Sequence, residues 1–298
     1  MFEFTSWINK GEKNDTGTRS MKELSIEQTP PLPSVMIEIM RFDPGNPNSD
    51  SQAMENIIQP DKGVCAEILK VSNSALYGRS GKIKKLRDAI TLMGVKTVKN
   101  LVILLSTKNL GGKLKGDLYK THLKEFPILS ALIALDLAKP LGLMQLKEDG
   151  FLGGLLHKIG MAIIALNSPD EYSAMLKTWQ SGAESIIKME REKFQTDHIK
   201  VGKTVFQAWK LPEQLQSIIT EHNFKPEKLE AQDDLVRLTA LASILSKKLL
   251  NLPLLDDERE KEVKIPDFYK TERAKIEKFN DEYYRLIKEH PFYEQAVS

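Results

Sequence analysis

Apolar residues recur at the spacing of an amphipathic helix along most of this 298-residue chain, in segments separated by glycine and proline. The sequence lacks the alternating runs of β-branched residues, bounded by turns, that would indicate strands. We therefore predict an all-α fold, organised as a multi-helix bundle. The clearest predicted helices cover residues 84–93, 95–107, 118–139, 151–165, 170–179, 182–193, 198–208, 212–222 and 232–250.

The composition is typical of a soluble globular protein, with 41% apolar and 28% charged residues. No apolar stretch approaches the roughly 18 residues that a membrane span needs, and the first residues contain no stretch long enough for a secretory signal. The single cysteine, Cys65, excludes an intramolecular disulfide and suits a reducing compartment. We expect a cytoplasmic protein without membrane association.

Breaks in the helical pattern divide the chain into four regions. The last of them begins with Pro253 and a run of charged residues, which indicates a linker over 252–270. A stripe of apolar residues then indicates a long amphipathic helix over 270–290. The predicted regions are 1–22, a loose lead-in; 23–117, a first helical subdomain; 118–250, a second helical subdomain packed on the first; and 251–298, the charged linker and amphipathic helix.

Positive charge is concentrated between Lys70 and Lys115, a segment with a net charge of +10, whereas the rest of the chain carries −8. Such a division indicates an anionic partner, or two parts of one protein that attract each other. A solvated basic face explains the same pattern without any partner. The sequence leaves these interpretations open.

Four of the five histidines fall on or beside predicted helices: His122, His157, His198 and His222. A single helical histidine is more often a hydrogen-bonded structural residue than a ligand. The sequence GGLLHKIGM at 153–161 is more informative, because its glycines allow a helix to pack closely against a neighbour. We expect His157 to project from this tightly packed element.

This stretch resembles the HD superfamily of metal-dependent phosphohydrolases, in which a His-Asp pair occupies the positions of His157 and Lys158. The resemblance implies an upstream histidine ligand at His122 and a final acidic ligand near Ser243. Here a lysine replaces the paired acid and a serine replaces the final one. An ammonium group about 4 Å from a cation is repelled by several kcal/mol at a protein-like dielectric. We therefore expect a degenerate site at His122, His157, Lys158 and Ser243, with no metal, no cofactor and no catalytic residue.

Residues 69–103 contain an N-S-x-x-Y-G element from Asn73 to Gly78 and a D-A-I-x-x-x-G run from Asp88 to Gly94. With these motifs the stretch resembles a particular branch of that superfamily, the HDOD (HD-related output domain) family. Residues 197–222 resemble the same family's D-H-x-x-x-G…W-x-L-P…H stretch, and the likeness extends over about residues 24–250. The resemblance implies an HD-like fold in the second subdomain and a regulatory or output role in bacterial signal transduction. The most specific part of the resemblance is these two motifs, the N-S-x-x-Y-G element and the D-A-I-x-x-x-G run. They contain Asn73, Ser74, Tyr77, Gly78 and Gly94.

The residues of this block also have a structural interpretation. Asn73 and Ser74 lie near the end of an apolar helix, where their side chains can bond back to the backbone. Gly78 can adopt a positive φ, and Tyr77 has a ring to bury and a hydroxyl that needs a partner. We predict a helix-terminating corner here rather than a ligand site.

Two functions of different classes follow from these observations. We expect a non-catalytic regulatory module that acts by protein–protein interaction on a signalling partner, which the basic segment predicts to be acidic. The alternative is a phosphohydrolase for phosphomonoesters or cyclic nucleotides, with one metal held by the four helical histidines. A residual pocket at His157, Lys158, His198 and His222 is a candidate for anion binding. The sequence does not determine the oligomeric state.

Nucleic-acid binding is a further alternative, since residues 89–101 superficially resemble a helix-turn-helix. The helix that would read the bases, at 95–107, is dominated by apolar residues such as Val98 and Leu101. A helix in the major groove presents polar side chains to the base edges. We therefore assign this helix to the core and expect no nucleic-acid partner.

Overall fold

The computed structural model describes residues 33–78, 82–110, 114–209 and 213–298. Within these ranges every regular element is a helix and no strand occurs, which confirms the all-α prediction. The lead-in predicted at 1–22 lies outside the described residues. In chain order the α-helices are α1 (Ser34–Arg41), α2 (Ser51–Ile58), α3 (Lys62–Ser72), α4 (Leu86–Met93), α5 (Val95–Leu110), α6 (Asp117–Tyr119), α7 (Phe126–Leu137), α8 (Lys147–Leu156), α9 (Ile159–Asn167), α10 (Pro169–Gln180), α11 (Ile186–Phe194), α12 (His198–Ala208), α13 (Glu213–Glu221), α14 (Asp234–Leu249), α15 (Asp256–Phe268), α16 (Arg273–Ile276), α17 (Asp281–Lys288) and α18 (Pro291–Val297).

The first five helices pack on one another: α5 contacts α1, α3 and α4, while α2 contacts α1 and α4, and α3 contacts α4. Val35, Met36, Ile39 and Met40 form the buried face of α1 at helical spacing. Gly94 separates α4 from α5 with a φ of 82°. Because glycine adopts this conformation at little cost, the two helices can meet at an angle of 111°.

The central helix of the molecule is α7, which packs against both α8 and α14. It is apolar on every face, and such a helix is stable only where neighbours cover it. The helix predicted over 118–139 has the correct extent, but a π-helical segment at Lys120–Glu125 joins α6 to α7 and carries His122. Segments of this kind are rare and occur frequently at functional sites.

The single helix predicted over 151–165 is wrong, because the structure divides it into α8 and α9. Lys158 has a φ of −109° and a ψ of 16°, outside the helical region. The prediction failed because apolar residues continue on both sides of the break, so periodicity alone does not reveal it. The interruption places two consecutive polar side chains, those of His157 and Lys158, inside the core.

Two glycines explain how closely these helices pack. A Cβ atom on Gly154 would lie 2.5 Å from the backbone of Ser130 in α7. A Cβ atom on Gly160 would lie 1.9 Å from the carbonyl oxygen of His198 in α12. Real Cβ atoms do not approach backbone atoms this closely, so the close packing predicted for the glycine-flanked stretch requires glycine at both positions.

The structure contradicts the linker predicted over 252–270, because this segment contains α15, which packs against α14 and a 3₁₀ turn at Pro226–Ala231. Three acidic residues in its first turn stabilise the helix N-terminus. One of them, Glu258, accepts a hydrogen bond from the N–H of Leu255 at 3.0 Å. The charged run is therefore a helix, and its buried face carries Lys261.

The long helix predicted over 270–290 is also wrong, since α16 and α17 replace it and α18 follows. The side chain of Asn280 accepts hydrogen bonds from the N–H groups of Glu282 at 3.0 Å and Tyr283 at 3.2 Å. Asn280 is therefore the N-cap of α17, which begins as a separate helix. The last helix, α18, packs against α5, α7 and the π-helical segment. The tail therefore covers the body of the molecule.

The main hydrophobic core draws on helices from both ends of the chain, among them α1, α7, α14 and α18, and a smaller cluster lies among α6, the start of α7 and α9 to α12. Residues on both sides of position 117, such as Val98 and Leu132, belong to the main core. The helices of the two predicted subdomains thus share one core, and their division at 117 stays a prediction.

The stretch Met144–Asn167 has the length and hydropathy of a membrane span, and α4 with the first part of α5 passes the same test as a bent pair. Within Met144–Asn167, 83% of the apolar window is buried inside the fold. Core helices of soluble proteins share this composition.

Candidate functional site

A buried cluster of lysine and histidine side chains lies beside the break between α8 and α9. The Nζ atom of Lys158 is 2.9 Å from Nε2 of His222, which follows α13, and 3.3 Å from Nε2 of His198, which begins α12. Each of the three residues is at most 5% exposed. The structure thus brings together three candidate residues from segments that are distant in sequence.

Hydrogen bonds fix the tautomers of both imidazoles. Nδ1 of His198 lies 2.7 Å from Oε2 of Glu190, and Nδ1 of His222 lies 2.9 Å from the carbonyl oxygen of Ile219. A carboxylate or carbonyl oxygen can only accept, so each Nδ1 carries the hydrogen. Each Nε2 therefore directs a lone pair at Lys158, which is the donor in both contacts.

His157 has the same tautomer but a different partner. Its Nδ1 donates to the carbonyl oxygen of Gly154 at 2.8 Å, and its Nε2 accepts a hydrogen bond from the hydroxyl of Ser243 at 3.2 Å. The ring meets those of Phe126 and His222 edge-on, with centroid distances of 5.6 and 5.4 Å. Ser243 thus lies beside His157 and offers a hydroxyl in place of the carboxylate that the HD resemblance implies.

Burial controls the charge of the cluster. It lowers the pKa values of His157 and His222 well below the ordinary range, and the charge of Lys158 adds to this effect. Burial also lowers the pKa of His198. The pKa of Lys158 falls to about 7, first because of burial and then because of the positive charge of Lys247. At neutral pH the imidazoles are therefore uncharged, while Lys158 is divided between its charged and neutral forms.

His122, in the π-helical segment, makes no hydrogen bond to this cluster. Its ring packs on the indole of Trp179 with a centroid distance of 4.9 Å, and neither ring nitrogen has a hydrogen-bond partner among the described residues. Gln180 is near enough to influence the ring but does not reach hydrogen-bonding geometry. Burial lowers the pKa of His122 to about 4, so this imidazole is neutral as well.

Glu190, which no sequence pattern singled out, completes one side of the cluster. Its carboxylate accepts hydrogen bonds from the hydroxyl of Tyr172 at 2.5 Å and from the backbone N–H of His198 at 2.9 Å, in addition to the imidazole contact. This residue lies among other charged residues in α11, a helix that reads as a solvated surface element. No pattern in the sequence distinguished it from its neighbours.

Lys247 and Glu258 form a second buried feature that the sequence analysis missed. The Nζ atom of Lys247 is 2.6 and 2.8 Å from the two carboxylate oxygens of Glu258. Lys247 follows Ser243 by four residues in an apolar helix, a spacing that places both on one face and could have indicated a shared site. Glu258 gave no such signal, because its segment resembled a linker.

The residues present do not fit the metal that the HD superfamily binds. No group of three or more His, Cys, Asp or Glu side chains in the described ranges is arranged to hold a metal ion. Lys158 donates to His198 and His222, and Ser243 donates to His157, so protein donors engage all three inward lone pairs. The arrangement instead holds a buried amine between two neutral imidazoles.

The cavity that Lys158 helps to line is small. A cavity with Lys158 in its wall has a volume of about 50 Å³, whereas ordinary small-molecule sites begin at about 300 Å³. Of the four residues of the candidate anion pocket, Lys158 lines this cavity and His157, His198 and His222 do not, so the anion pocket stays a prediction. A cavity of about 650 Å³ lies elsewhere, among α1, α5 and α8.

The block at 73–94 forms a corner between α3 and α4. Nδ2 of Asn73 donates to the carbonyl oxygens of Leu69 at 2.9 Å and Ile83 at 2.8 Å, and its Oδ1 accepts from the N–H of Ile83 at 3.0 Å. Gly78 adopts a φ of 59° in the left-handed region. The structure thus contains the backbone bonds expected of Asn73 and the positive φ expected of Gly78.

Ser74 and Tyr77 differ from the expectation for this corner. The hydroxyl of Ser74 is buried and has no hydrogen-bond partner among the described residues. Tyr77 is half-buried, and burial raises the pKa of its hydroxyl, for which the described part of the chain also provides no hydrogen-bond partner. Neither side chain bonds to the histidine–lysine cluster.

A family model described as "HDOD domain" matches residues 29–224, more than half of the chain. The chain belongs to the HDOD family. The HDOD match contains His122, Lys158, His198 and His222. The match ends before Ser243, which contacts His157, and before the buried pair of Lys247 and Glu258.

Solved structures of other proteins share the fold at low sequence identity. A solved structure from Shewanella amazonensis SB2B, provisionally named as a phosphohydrolase, has a TM-score of 0.67 at 23% identity, with 92% of this chain and 96% of that chain covered. One from Marinobacter aquaeolei VT8, provisionally named as a signal transduction protein, has a TM-score of 0.65 at 21% identity and covers 90% of this chain and 59% of that chain.

A relative from Treponema pallidum (strain Nichols), described as an uncharacterized protein, is 26% identical over 229 residues. The match covers 74% of this chain but 42% of the relative. This chain therefore spans less than half the length of that relative.

Proposed function

We propose that this HDOD protein is a cytoplasmic, non-catalytic output module of bacterial signal transduction that acts by binding another protein. The observation that carries the proposal is the position of Lys158, whose Nζ engages Nε2 of both His198 and His222. A metal-dependent hydrolase of the HD type needs those inward lone pairs and an acid at position 158. The family membership supports a regulatory role for the same chain.

The surface that supports partner binding lies beside the family block. Lys82, Lys84 and Lys85 are exposed and form no ion pair with any described residue. Leu76, in the preceding turn, is 55% exposed. A segment that exposes several cations and an apolar side chain suits an acidic protein partner that also contributes an apolar residue.

The neighbouring helix α5 does not suit DNA recognition. Val98, Leu101 and Val102 are fully buried in the core, as predicted, so the face that a recognition helix would present to base edges is not available. Any contact with nucleic acid would therefore be limited to phosphate attraction.

A metal and activity assay tests the non-catalytic part of the proposal. We expect less than stoichiometric zinc, iron, manganese or nickel by elemental analysis of the purified full chain. We also expect no hydrolysis of phosphomonoesters or cyclic nucleotides with these metals added. Stoichiometric metal together with metal-dependent turnover would overturn the proposal in favour of the phosphohydrolase alternative.

Charge reversal tests the interaction surface. In fluorescence anisotropy with a glutamate-rich peptide, we expect the variant Lys82→Glu/Lys84→Glu/Lys85→Glu to bind roughly tenfold more weakly than the wild type. The matched control reverses three exposed lysines of another surface: Lys193, Lys200 and Lys203. Equal loss in both variants, or equal affinity for duplex DNA of the same charge, would show nonspecific anion attraction and contradict the assignment.

A further inference from the structure

The cavity of about 650 Å³ lies between helices from both sides of position 117. Its lining comes from α1 and α5 on one side and from α8, α13 and α14 on the other. This volume is within the range of about 300–1,000 Å³ that is usual for small-molecule sites, which occur preferentially where two structural units meet. None of its lining residues belongs to the histidine–lysine cluster, so the cavity is a separate candidate site.

One part of the lining is apolar. Leu152, Leu215 and Leu235 come from three different helices, and each is at most 8% exposed. Phe42, from the segment that follows α1, is buried as well and also lines the cavity. Because apolar walls favour an apolar group over water, they suit a ligand that carries an apolar side chain.

A carboxylate of the lining is held in place but has no cationic partner. Oε2 of Glu148 accepts a hydrogen bond from Nδ2 of Asn100 at 2.5 Å, and Asn100 is only 2% exposed. Burial raises the pKa of Glu148, and the charges of Lys147 and Lys96 oppose this effect without forming an ion pair with it. The other oxygen, Oε1, has no hydrogen-bond partner among the described residues, so it can accept from a ligand ammonium group.

Cationic side chains line the same cavity. Nζ of Lys99 donates to the carbonyl oxygens of Phe42 at 2.7 Å and Met40 at 3.5 Å, which fixes the position of this half-buried group. An ammonium group has three donors, so one donor of Lys99 has no acceptor among the described residues. Lys96 lies one turn earlier on α5 and is exposed. Both lysines can therefore donate to a ligand carboxylate.

The two kinds of charge in the lining are balanced but unpaired. Three cationic and three acidic residues contribute to it: Arg41, Lys96, Lys99, Asp43, Glu148 and Asp149. Lys99 is close enough to Asp149 and Asp43 for their charges to raise its pKa against the larger effect of burial. Even so, none of the six forms an ion pair with any residue that the structure describes. A ligand with one charge would be attracted by one set and repelled by the other, whereas a ligand with both charges complements the whole lining.

We propose that this cavity binds a small zwitterion with an apolar side chain, an apolar amino acid either free or in a short peptide. The ligand's ammonium group donates to Glu148, and its carboxylate accepts from Lys96 and Lys99. Its side chain packs against the three leucines of the lining. This binding site does not depend on the proposed partner surface, so either proposal can fail without the other.

Calorimetric titration of the full chain tests the ligand class. We expect saturable binding of L-leucine or of leucyl-leucine, and the stronger of the two shows whether the ligand is a free amino acid or a peptide. Isoamylamine lacks the carboxylate of leucine and isocaproate lacks its ammonium group, so each should bind roughly tenfold more weakly or less. The proposal is overturned if neither zwitterion binds at about 10 mM, or if either singly charged analogue binds as well as the zwitterion.

Two substitutions test the residues assigned to the ligand's charges. We expect Glu148→Gln and Lys96→Gln each to weaken binding roughly tenfold. Both variants should fold, because glutamine retains an oxygen that can accept from Asn100 and because Lys96 is exposed. The controls are Glu227→Gln and Lys193→Gln, which change exposed residues outside the cavity. Wild-type affinity in both cavity variants, or the same loss in the controls, would contradict the assignment.

Methyl NMR of the wild type locates the ligand without any substitution. When the zwitterion that binds is added to protein with labelled leucine methyl groups, we expect the resonances of Leu152, Leu215 and Leu235 to move. Leu132 is the internal control, because it is buried in the same core but does not line the cavity. Changes confined to leucines outside the lining would place the ligand elsewhere and overturn the proposal.

Discussion

The Nζ atom of Lys247 lies 2.6 Å from Oε1 of Glu258, and the two side chains are 5% and 11% exposed. This buried pair joins α14 to the tail helix α15. The charge of Glu258 holds one cation in place, and the same carboxylate lies near enough to Lys158 to influence its pKa. The tail is therefore an electrostatic component of the histidine–lysine cluster.

Removing the negative charge of Glu258 should destabilise the protein strongly. We expect Glu258→Gln to lower the free energy of unfolding by about 3–5 kcal/mol, because it leaves a buried ammonium group without a counter-ion. Urea denaturation of the full chain measures the change. Glu262→Gln is the control, since its partner Lys248 is 49% exposed and such pairs contribute at most about 1 kcal/mol. Similar losses in both variants would contradict the assigned role of the buried pair.

Lys158 should make stability depend on pH in a defined direction. Its pKa is lowered from 10.5 to about 7, so the unfolded chain binds more protons between these values. The stabilising contribution of the neutral amine is complete above pH 10.5 and is lost as the pH falls through about 7. The stability of the wild type relative to Lys158→Met should therefore rise between pH 7 and pH 9.5, by at most about 1.4 kcal/mol per pH unit.

Chemical denaturation of both proteins at several pH values measures this difference directly. Subtracting the variant removes the contributions of other groups, including the buried histidines, whose lowered pKa values act below pH 6.5. Parallel stability profiles for the two proteins would show that Lys158 is not perturbed.

Gly160 should not tolerate a side chain. The Cβ of Gly160→Ala would lie 1.9 Å from the carbonyl oxygen of His198, and a backbone atom cannot move aside as a flexible side chain does. We expect a loss of more than about 3 kcal/mol, measured as a drop in the urea midpoint. Gly63→Ala is the control, because its Cβ would meet only a side-chain oxygen of Asp61, at 3.3 Å. Comparable midpoints for the two variants would refute the close contact between α9 and α12.

Asn73 should be important for the corner between α3 and α4. Asn73→Ala removes three hydrogen bonds to the backbone, and we expect a loss of about 2–3 kcal/mol at roughly 1 kcal/mol for each bond. The control is Asn56→Ala, since Asn56 is exposed and its side chain bonds to no described residue other than Gln52. Thermal unfolding followed by circular dichroism compares the two. An unchanged midpoint for Asn73→Ala would mean that the corner is held by other contacts.

The helices of the body were predictable because their cause is local. Apolar spacing and terminating residues such as Gly94 act within a few residues of chain, so the pattern records them directly. The break at Lys158 was not predictable in this way, because it depends on contacts that Gly154 and Gly160 make with α7 and α12. The prediction for the tail failed for a related reason. Its charged residues indicated exposure to solvent, but Glu258 is buried against Lys247 of α14, and Lys261 is buried and donates to the carbonyl oxygen of Phe224.

The candidate site was predictable only in part. The resemblance singled out His157, Lys158 and Ser243 by their order along the chain, and the structure places them in one cluster. It did not identify Glu190 or Lys247, because a buried charge is recognised by its partners and these come from distant segments. Sequence spacing does not show which carboxylate meets which cation.

The contact between α14 and α15 has a consequence for modular engineering. A chimera that transplanted residues 29–224 alone would carry the imidazoles of the cluster. It would lack α14, which bears Ser243 and Lys247, and it would lack Glu258, whose carboxylate pairs with Lys247. The cooperative unit of this protein is thus larger than the segment that homology outlines. A transplanted segment that is intended to retain the buried cluster and its surroundings should extend through α18.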